Sequence, residues 1–460
     1  MTQALFKTLA LRPELLSTLK ELGYGSMTPI QAQSLPETLQ GRDLIAQAKT
    51  GSGKTAAFAL GVLNKLQVDR FRVQTLVLCP TRELADQVAT EVRKLARGIH
   101  NIKVLTLCGG QPFGPQIGSL EHGAHIVVGT PGRILEHLTK GNLTLKDVHQ
   151  LVLDEADRML DMGFQPALDA IVEQAPTQRQ TLLFSATYPP EIDAIAARYL
   201  SNPVSVTVAE THDSSSIEQR YYHCDNNDAR FTALETLLLA EEPTSAMVFA
   251  TTKREVQQIC DDLRNRDFSV ASLHGDLEQK QRDQTLIQFA NKSVTILIAT
   301  DVAARGLDID NVDLVINYQL AHDTDVHVHR VGRTGRAGAM GLACSLFTDK
   351  DRIKIEKLED LNGEPITAAT LPRPSSSTPA RPQMATLLID GGKKDKLRPG
   401  DIVGALTKDG TLSANQIGKI HVTATKAFVA VELKLGKTAL NKLTEGRLKG
   451  RNFRARLLRS

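Results

Sequence analysis

The sequence predicts an α/β protein with two tandem doubly wound parallel sheets, followed by a smaller α+β domain. Short apolar runs alternate with helical segments through most of the chain, which is typical of parallel sheets covered by helices. This pattern predicts six strands in a first series and four in a second. At 460 residues the chain is too long for a single core. We predict domains at 1–207, 217–365 and 385–460, with a Pro/Ser-rich linker at 366–384.

The composition indicates a soluble protein. Hydrophobic residues make up 41% of the chain, yet no run of eighteen or more apolar residues occurs. The sequence starts without the basic-then-apolar pattern of a signal peptide. The five cysteines are far apart and never in C-x-x-C spacing, which argues against a disulfide framework or a zinc site. We expect a cytoplasmic protein that does not bind a membrane.

The net charge of +3 is unevenly distributed along the chain. Residues 385–460 contain 16 Lys and Arg but only 6 Asp and Glu, a net charge of +10, which leaves −7 for the rest. A basic domain attached to a mildly acidic body is typical of proteins that bind a polyanion, usually nucleic acid.

A glycine-rich loop links the first apolar strand to a helix. Residues 48–55 read AKTGSGKT, close to G-x-x-x-x-G-K-[ST] except for alanine in the first glycine position. Such a loop presents backbone N–H groups and a helix N-terminus to phosphates, with a lysine charge and a hydroxyl ligand for Mg²⁺. The predicted phosphate site consists of Ala48, Lys49, Thr50, Gly51, Ser52, Gly53, Lys54 and Thr55.

Two adjacent carboxylates, Asp154 and Glu155, follow the apolar run 151–153. Ligands of parallel sheets bind at the carboxyl ends of the strands, so both side chains should face a ligand. In a phosphate-binding fold we expect Asp154 to share a Mg²⁺ ion with Thr55, largely through water. Glu155 would orient or deprotonate the attacking water.

Other strand ends also carry groups that contact phosphate. The first series ends at PTREL (80–84), GG (109–110) and TPGR (130–133), and these small, hydroxyl and arginine residues favour a polyanion track. In the second series, HRVGRTGR (329–336) places Arg333 and Arg336 at a spacing suited to arginine fingers. Near the N-terminus, Thr28 and Pro29 predict a helix start that puts Gln31 in the first turn, with its amide free to recognise a ligand.

The last 76 residues have a β-α-β-β-α-β rhythm that resembles an RNA-recognition motif. Leu388 and Lys426 occupy positions where that motif usually has aromatic residues, which leaves Phe428 alone on the sheet face. Base stacking on this sheet is therefore in doubt, and binding through phosphates and loops is favoured. The candidate contacts are Lys393, Lys394, Lys396, Arg398, Arg447, Lys449, Arg451, Arg454 and Arg456.

Together these motifs resemble the DEAD-box ATP-dependent RNA helicases over essentially the whole chain. The order is Gln31, AKTGSGKT, PTREL, TPGR, DEAD, SAT, ATDVAARGLD and HRVGRTGR. The resemblance implies two RecA-like domains that use ATP and Mg²⁺ to unwind short RNA duplexes locally. The segment IDGGKKDKLRPGDIVGAL (389–406) resembles the bacterial DbpA subfamily. That resemblance implies a monomer directed to a 23S rRNA hairpin on pre-50S particles.

The resemblance also implies roles for individual residues. Gln31 and Phe6 would hold adenine, Gly306 and Asp308 the ribose side of the nucleotide, and Lys54, Arg333 and Arg336 the reacting phosphates. Ser185 and Thr187 would couple hydrolysis to strand separation. The implied RNA contacts are Thr81, Arg82, Gly110, Thr130, Arg133, Gly275, Gln279, Arg282 and Thr300.

Two alternative functions stay open at this level. One is an RNA-binding clamp or assembly scaffold in which ATP hydrolysis only times release. The other is a general helicase of mRNA turnover with an unspecific basic tail. The ordered strand and helix pattern after residue 385 favours a dedicated RNA-binding domain over such a tail.

Overall fold

Three β-sheets organise the chain in this computed structural model, which describes residues 4–48, 51–188, 190–208, 217–304, 309, 312–335, 340–374 and 376–458. The chain divides into two compact units near residue 211. The first unit contains one sheet and the second contains the other two. Among the described residues, no helix combines the length and apolar character needed to cross a membrane.

The first unit is a seven-stranded parallel sheet in the order β3-β4-β2-β5-β6-β1-β7. Its strands are β1 (Leu44–Gln47), β2 (Thr75–Leu78), β3 (Val104–Leu107), β4 (Ile126–Gly129), β5 (Gln150–Asp154), β6 (Gln180–Ser185) and β7 (Val204–Thr207). Its helices are α1 (Pro13–Glu21), α2 (Pro29–Gln40), α3 (Lys54–Lys65), α4 (Arg82–Leu95), α5 (Phe113–Glu121), α6 (Pro131–Thr139), α7 (Ala156–Asp161), α8 (Gln165–Val172) and α9 (Pro190–Tyr199).

Separate hydrophobic clusters cover the two faces of this sheet, as expected of a doubly wound fold. Adjacent residues of β5 divide between the faces: Val152 packs with α3 and α4, whereas Leu151 and Leu153 pack with α6 and α8. The central strands are therefore buried on both sides, and their near-continuous apolar sequences follow from this burial.

A buried carboxylate joins three parts of the first unit. Asp43, just before β1, accepts hydrogen bonds from the backbone N–H groups of Thr181 at 2.7 Å and Ser201 at 2.6 Å. These bonds tie β1 to the start of β6 and to the segment that leads into β7. Asp43 therefore satisfies two backbone donors in this partly enclosed region.

The second unit begins with a six-stranded parallel sheet in the order β10-β11-β9-β12-β13-β8. Its strands are β8 (Ile217–His223), β9 (Ala246–Phe249), β10 (Val270–Leu273), β11 (Ile296–Ala299), β12 (Leu314–Asn317) and β13 (Gly341–Phe347). Its helices are α10 (Asn227–Glu241), α11 (Lys253–Arg264), α12 (Gln279–Ala290), α13 (Asp301–Ala304), α14 (Thr324–Val331) and α15 (Arg352–Asn362).

The C-terminal part of this unit is a four-stranded antiparallel sheet in the order β15-β16-β14-β17. Its strands are β14 (Met384–Ile389), β15 (Ile417–Val422), β16 (Ala427–Glu432) and β17 (Ala455–Leu457), with helices α16 (Pro399–Thr407) and α17 (Gly436–Glu445). Both helices pack on the face that carries Leu387 and Val429. This is the β-α-β-β-α-β order that the sequence predicts.

The opposite face of the antiparallel sheet is also buried. Leu388 is 1% exposed and Phe428 is 6% exposed, although neither belongs to the core beneath the helices. Next to them, the hydroxyl of Thr386 receives a hydrogen bond from Asn291 Nδ2 at 3.1 Å and shares another with Ser293 Oγ at 2.7 Å. The face thus lies against the segment that follows α12, within the same compact unit.

The Asp43 contacts lead to a stability prediction for the first unit. Asp43→Ala leaves two backbone N–H groups without their charged acceptor, and each charge-assisted bond is worth about 1.5–3 kcal/mol. We expect the free energy of unfolding of this unit, measured by urea denaturation, to fall by roughly 3–6 kcal/mol. The control is Asp147→Ala, which removes a carboxylate that lies 3.8 Å from the exposed Arg72 and should change stability little. Equal midpoints for the two variants would contradict the prediction.

Candidate active site and nucleic-acid interface

The glycine-rich loop lies between β1 and α3, and the side chain of Lys54 bonds to the backbone at the start of the loop. Lys54 is 6% exposed, and its Nζ donates a 2.5 Å hydrogen bond to the carbonyl of Ala48. The N–H of Ala48 in turn donates to the carbonyl of Ser185, at the end of β6, at 3.1 Å. Ser52 Oγ is buried and has no hydrogen-bond partner among the described residues. Lys49 and Thr50 lie outside the described residues.

Gln31 connects helix α2 to this loop. Its Nε2 donates to the carbonyl of Gly53 at 3.1 Å, while its Oε1 accepts from the backbone N–H of Thr28 at 2.9 Å. Gly53 has φ of 94°, and a Cβ there would lie 2.5 Å from Gln31 Nε2. The glycine is therefore required both for the left-handed backbone and for the close approach of Gln31. The Gln31 amide thus already bonds at both ends, contrary to the expectation of a free amide, and its contact with adenine stays a prediction.

Phe6 lies in a short 3₁₀ helix, Phe6–Thr8, and is 4% exposed. It belongs to the hydrophobic cluster that includes Leu11 and Leu15, so most of the ring contacts protein. Its contact with adenine stays a prediction.

The acid pair lies at the carboxyl end of β5, next to the glycine-rich loop. Asp154 is 2% exposed, and burial, followed by repulsion from Glu155, raises its pKa to about 7 even though Lys54 acts in the opposite direction. Glu155 has φ of 52°, a left-handed conformation that is strained for a non-glycine residue. Two adjacent buried carboxylates are groups that could hold a cation.

A Mg²⁺ ion suits this donor set because it retains water and phosphate ligands. Asp154 and the hydroxyl of Thr55 are the residues that would hold it. Within the described parts of the chain, no group of three His, Cys, Asp or Glu side chains forms a separate metal site.

Asp157, the last residue of the DEAD sequence, is a site residue that the sequence reasoning did not single out. Its Oδ2 accepts hydrogen bonds from the N–H of Thr187 at 2.9 Å and from the Thr187 hydroxyl at 2.8 Å. Burial alone would raise the pKa of Asp157, but the two bonds from Thr187, with help from Arg158 and Lys54, lower it below its usual value. The acid segment is thus joined directly to the SAT segment. The second aspartate of the DEAD motif could have indicated this role from the sequence.

The strand order separates the predicted nucleotide residues from the predicted RNA residues. The glycine-rich loop follows β1, and Asp154 and Ser185 are the last residues of β5 and β6; these three strands are neighbours on one half of the sheet. Thr81, Gly110 and Thr130 come after β2, β3 and β4, which are neighbours on the other half. All six strands are parallel, so both groups lie on the same carboxyl edge.

At the ends of β2, β3 and β4, the predicted RNA-contacting residues lie at the starts of helices or in loops. Thr81 Oγ1 caps α4 by accepting from the N–H of Leu84 at 3.2 Å, and Thr130 precedes α6. Arg82 lies 3.8 Å from Asp86. Gly110 has φ of 71°.

Arg133 is oriented by neighbours that the sequence did not indicate. Its Nη1 donates to the carbonyl of Gln111 at 3.1 Å, its Nε lies 3.1 Å from Glu136, and its guanidinium lies 5.3 Å from the centre of the Phe113 ring. The ring of His137 stacks on Phe113 with centroids 4.2 Å apart. Phe113 therefore fixes the surroundings of a predicted RNA contact.

In the second unit, the predicted RNA residues follow the neighbouring strands β10 and β11. Gln279 begins α12, shortly after Gly275. Arg282 Nη2 donates to the carbonyl of Ala303 at 2.6 Å, and Thr300 Oγ1 accepts from the N–H of the same residue at 3.3 Å. Here too the structure brings the predicted residues together at a carboxyl edge.

Arg330 links two motifs of the second unit. Its guanidinium makes a two-pronged ion pair with Asp301, at 2.6 and 2.7 Å, and donates to Asn317 Oδ1 at 3.0 Å. Arg330 thus holds the ATD segment against α14, a role that the sequence reasoning missed. Arg333 follows α14 and is largely buried. Gly306, Asp308 and Arg336 lie outside the described residues.

Two loops of the C-terminal domain form one basic surface. Lys449 Nζ donates to the carbonyl of Lys396 at 2.7 Å, and a Cβ on Gly391 would lie 2.3 Å from the ring of Phe453. The loop after β14 therefore packs against the loop before β17. The candidate basic residues on these loops and on β17 are all exposed: Lys393, Lys394, Lys396, Arg398, Arg447, Lys449, Arg451, Arg454 and Arg456.

Comparison with known families gives a consistent result along the chain. Residues 28–195 match the DEAD/DEAH box helicase family, 229–338 match the helicase conserved C-terminal domain, and 386–457 match the DbpA RNA binding domain. The chain is 50% identical to the ATP-dependent RNA helicase DbpA of Escherichia coli over 99% of both chains. It is 34% identical to the ATP-dependent RNA helicase DeaD of Mycobacterium tuberculosis over 97% of this chain and 93% of that protein.

The fold agrees with solved structures of the same kind. Saccharomyces cerevisiae Dbp5 bound to RNA and ADP BeF3 is 30% identical and aligns with a TM-score of 0.71, covering 79% of this chain and 95% of that one. Both units' parallel sheets are therefore RecA-like helicase domains. The chain belongs to the DEAD-box family of ATP-dependent RNA helicases and carries a DbpA-type RNA-binding domain at its C-terminus.

Proposed function

We propose that this helicase hydrolyses ATP to unwind short RNA duplexes locally, and that its C-terminal domain directs it to a 23S rRNA hairpin during assembly of the large ribosomal subunit. The observation that carries the proposal is the single carboxyl edge of the first sheet. There the buried acid pair and the glycine-rich loop lie beside the predicted RNA contacts. The protein would act as a monomer in the cytoplasm, on pre-50S particles.

In this proposal the first unit binds the nucleotide and prepares the water. Lys54 exchanges its bond to Ala48 for a phosphate oxygen, while Thr55 and Asp154 hold Mg²⁺, which neutralises charge on the phosphates when bound. Glu155 takes the position next to the attacking water.

The second unit would complete the site with Arg333 and Arg336, which stabilise charge on the transferred phosphate. ATP and RNA would each favour this closed arrangement and so raise each other's affinity by linkage. Asp157 and Thr187 would couple ATP hydrolysis to strand separation, since their hydrogen bonds join the acid segment to the SAT segment just after β6.

Glu155→Gln tests the hydrolysis step. The amide keeps the size of the side chain but loses the carboxylate that orients and activates water, an effect worth roughly 10²–10⁴-fold in rate. We expect RNA-stimulated kcat to fall by at least about a hundredfold while fluorescent ATP analogues still bind. Glu121→Gln, on the exposed end of α5, is the control. Unchanged steady-state ATP hydrolysis by Glu155→Gln would refute the mechanism.

Thr187→Val tests the link between hydrolysis and strand separation. The substitution removes the hydroxyl bond to Asp157 but keeps the backbone bond, and a hydrogen bond to a charged group is worth about 1.5–3 kcal/mol. We expect duplex unwinding to fall by roughly tenfold, with a smaller change in ATP turnover. Thr207→Val, on the edge strand β7, serves as the control for this variant.

The wild-type protein separates the helicase from the clamp function. Normal ATP turnover without separation of any short duplex would support the clamp function.

The basic loops provide the test of RNA targeting. Deleting residues 385–460 would expose Asn291 and Ser293, so removing charge is the cleaner experiment. We expect the combined change of Lys393, Lys394, Arg447 and Arg451 to Ala to weaken binding of a 23S rRNA hairpin. The slope of the logarithm of the binding constant against the logarithm of the salt concentration should become shallower by about 0.7–0.9 for each lost phosphate contact.

A matched control removes the same charge elsewhere in the domain, at the exposed Lys408, Lys419, Lys434 and Lys437. ATP hydrolysis stimulated by saturating unstructured RNA should be the same in both variants. If the wild-type protein is stimulated equally by the rRNA hairpin and by arbitrary RNA, the targeting proposal is wrong.

A further inference from the structure

The face of the antiparallel sheet that packs against the segment after α12 has an apolar part and a charged rim. Thr386, Leu388 and Phe428 are buried there, with Thr386 bonded to Asn291 and Ser293. Side chains two residues apart on a strand share a face. Lys426, two residues before Phe428, therefore lies at the rim of the buried surface.

Two more residues of the C-terminal domain share this rim. Arg456 is directly opposite Leu388 in the pairing of β14 with β17, and directly opposed residues point to the same face. Asp390 is two residues beyond Leu388, and its carboxylate lies 3.9 Å from Lys426 Nζ. The rim thus carries two cations and one anion from three neighbouring chain segments.

The parallel-sheet domain of the same unit adds a third cation. Lys280, the second residue of α12, lies close enough to Lys426 that their ammonium groups repel each other. Burial first, and then repulsion from Lys280 and Arg456, lowers the pKa of Lys426 despite the attraction of Asp390. With three cations around the single carboxylate of Asp390, the cluster keeps a net positive charge.

We propose that Lys280, Lys426 and Arg456 form one binding site for an RNA backbone phosphate, shared between the second RecA-like domain and the C-terminal domain. The two lysines are not among the RNA contacts that the motifs indicate. Like charges packed across a domain junction are unfavourable until an anion lies between them, and a phosphate is the anion that RNA supplies.

The position of the cluster favours RNA over a free anion. Lys280 directly follows Gln279, where the RNA path of the second RecA-like domain is proposed, and Arg456 continues the basic surface of the C-terminal loops. A strand that leaves the hairpin site and enters the helicase domain would cross this junction. The inference therefore rests on the proposed function, and it adds that RNA itself strengthens the docking of the two domains.

The test compares Lys280→Ala, Lys426→Ala and the double variant in the full-length protein. The probes are a 23S rRNA hairpin with a single-stranded extension and the same hairpin without it, with affinity measured by fluorescence anisotropy at several salt concentrations. Lys408→Ala, on the helical side of the C-terminal domain, is the control. We expect each single change to weaken binding of the extended RNA by about five- to tenfold and to lower the salt slope by about 0.7.

The affinity losses of the two single variants and the double variant together test whether the lysines share a phosphate. If both lysines contact one phosphate, the double variant should bind the extended RNA little worse than either single variant. The bare hairpin should bind all variants alike, and without RNA the melting temperature of Lys280→Ala should equal or exceed that of the wild type because a repulsion is removed.

Several results would overturn the shared site: losses that add in the double variant, unchanged affinity for the extended RNA, or a lower melting temperature of Lys280→Ala without RNA. The proposed function is judged separately, by RNA-stimulated ATP hydrolysis of the wild-type protein. If RNA stimulates ATP hydrolysis but the lysine variants bind the extended RNA like the wild type, only the shared site is rejected. If RNA does not stimulate ATP hydrolysis, the proposed function is rejected.

Discussion

The burial of two adjacent carboxylates at the end of β5 is the constraint on which the rest of the first unit depends. An ionised acid in a low-dielectric site is costly unless a cation or hydrogen-bond donors are near. Lys54 supplies only part of the compensation, and the pKa of Asp154 remains raised to about 7. A cation bound at this carboxyl edge would therefore offset the cost of ionising Asp154.

A short chain of hydrogen bonds connects the acid segment to the glycine-rich loop and to the end of β6. Lys54 bonds to Ala48, Ala48 bonds to the end of β6, and Thr187 just beyond that strand bonds to Asp157. A change in the position of Lys54 on binding phosphate would thus act directly on Ala48, which is bonded to the strand that leads to Thr187. These hydrogen bonds lie along a single sheet edge, so the proposed coupling would be local.

The sequence predicts the interior of this fold better than its edges. Strands buried on both faces, such as β5 and β11, carry continuous apolar runs that identify them. The missed strands do not: β7 and β8 are sheet edges with exposed positions, and β13 begins with glycine and contains small residues. Motif residues could be located because the chemistry of phosphate fixes their type and spacing. Contacts such as that between Arg330 and Asp301 depend on which strands are neighbours, which spacing alone does not specify.

The altered stacking positions of the C-terminal domain now have a physical explanation. A sheet that stacks bases needs exposed aromatic rings, whereas a sheet that docks on protein needs buried apolar surface with polar groups that find partners. Leu388 and Phe428 supply the apolar surface and Thr386 finds its partners in Asn291 and Ser293. With this face occupied, the exposed cations of the loops are the groups that would contact RNA in the proposed function, and Lys426 lies at the edge of the docked face. Lys426, which stands where the RNA-recognition motif usually has an aromatic residue, is thus one of the residues that would join the C-terminal domain to RNA in the proposed shared site.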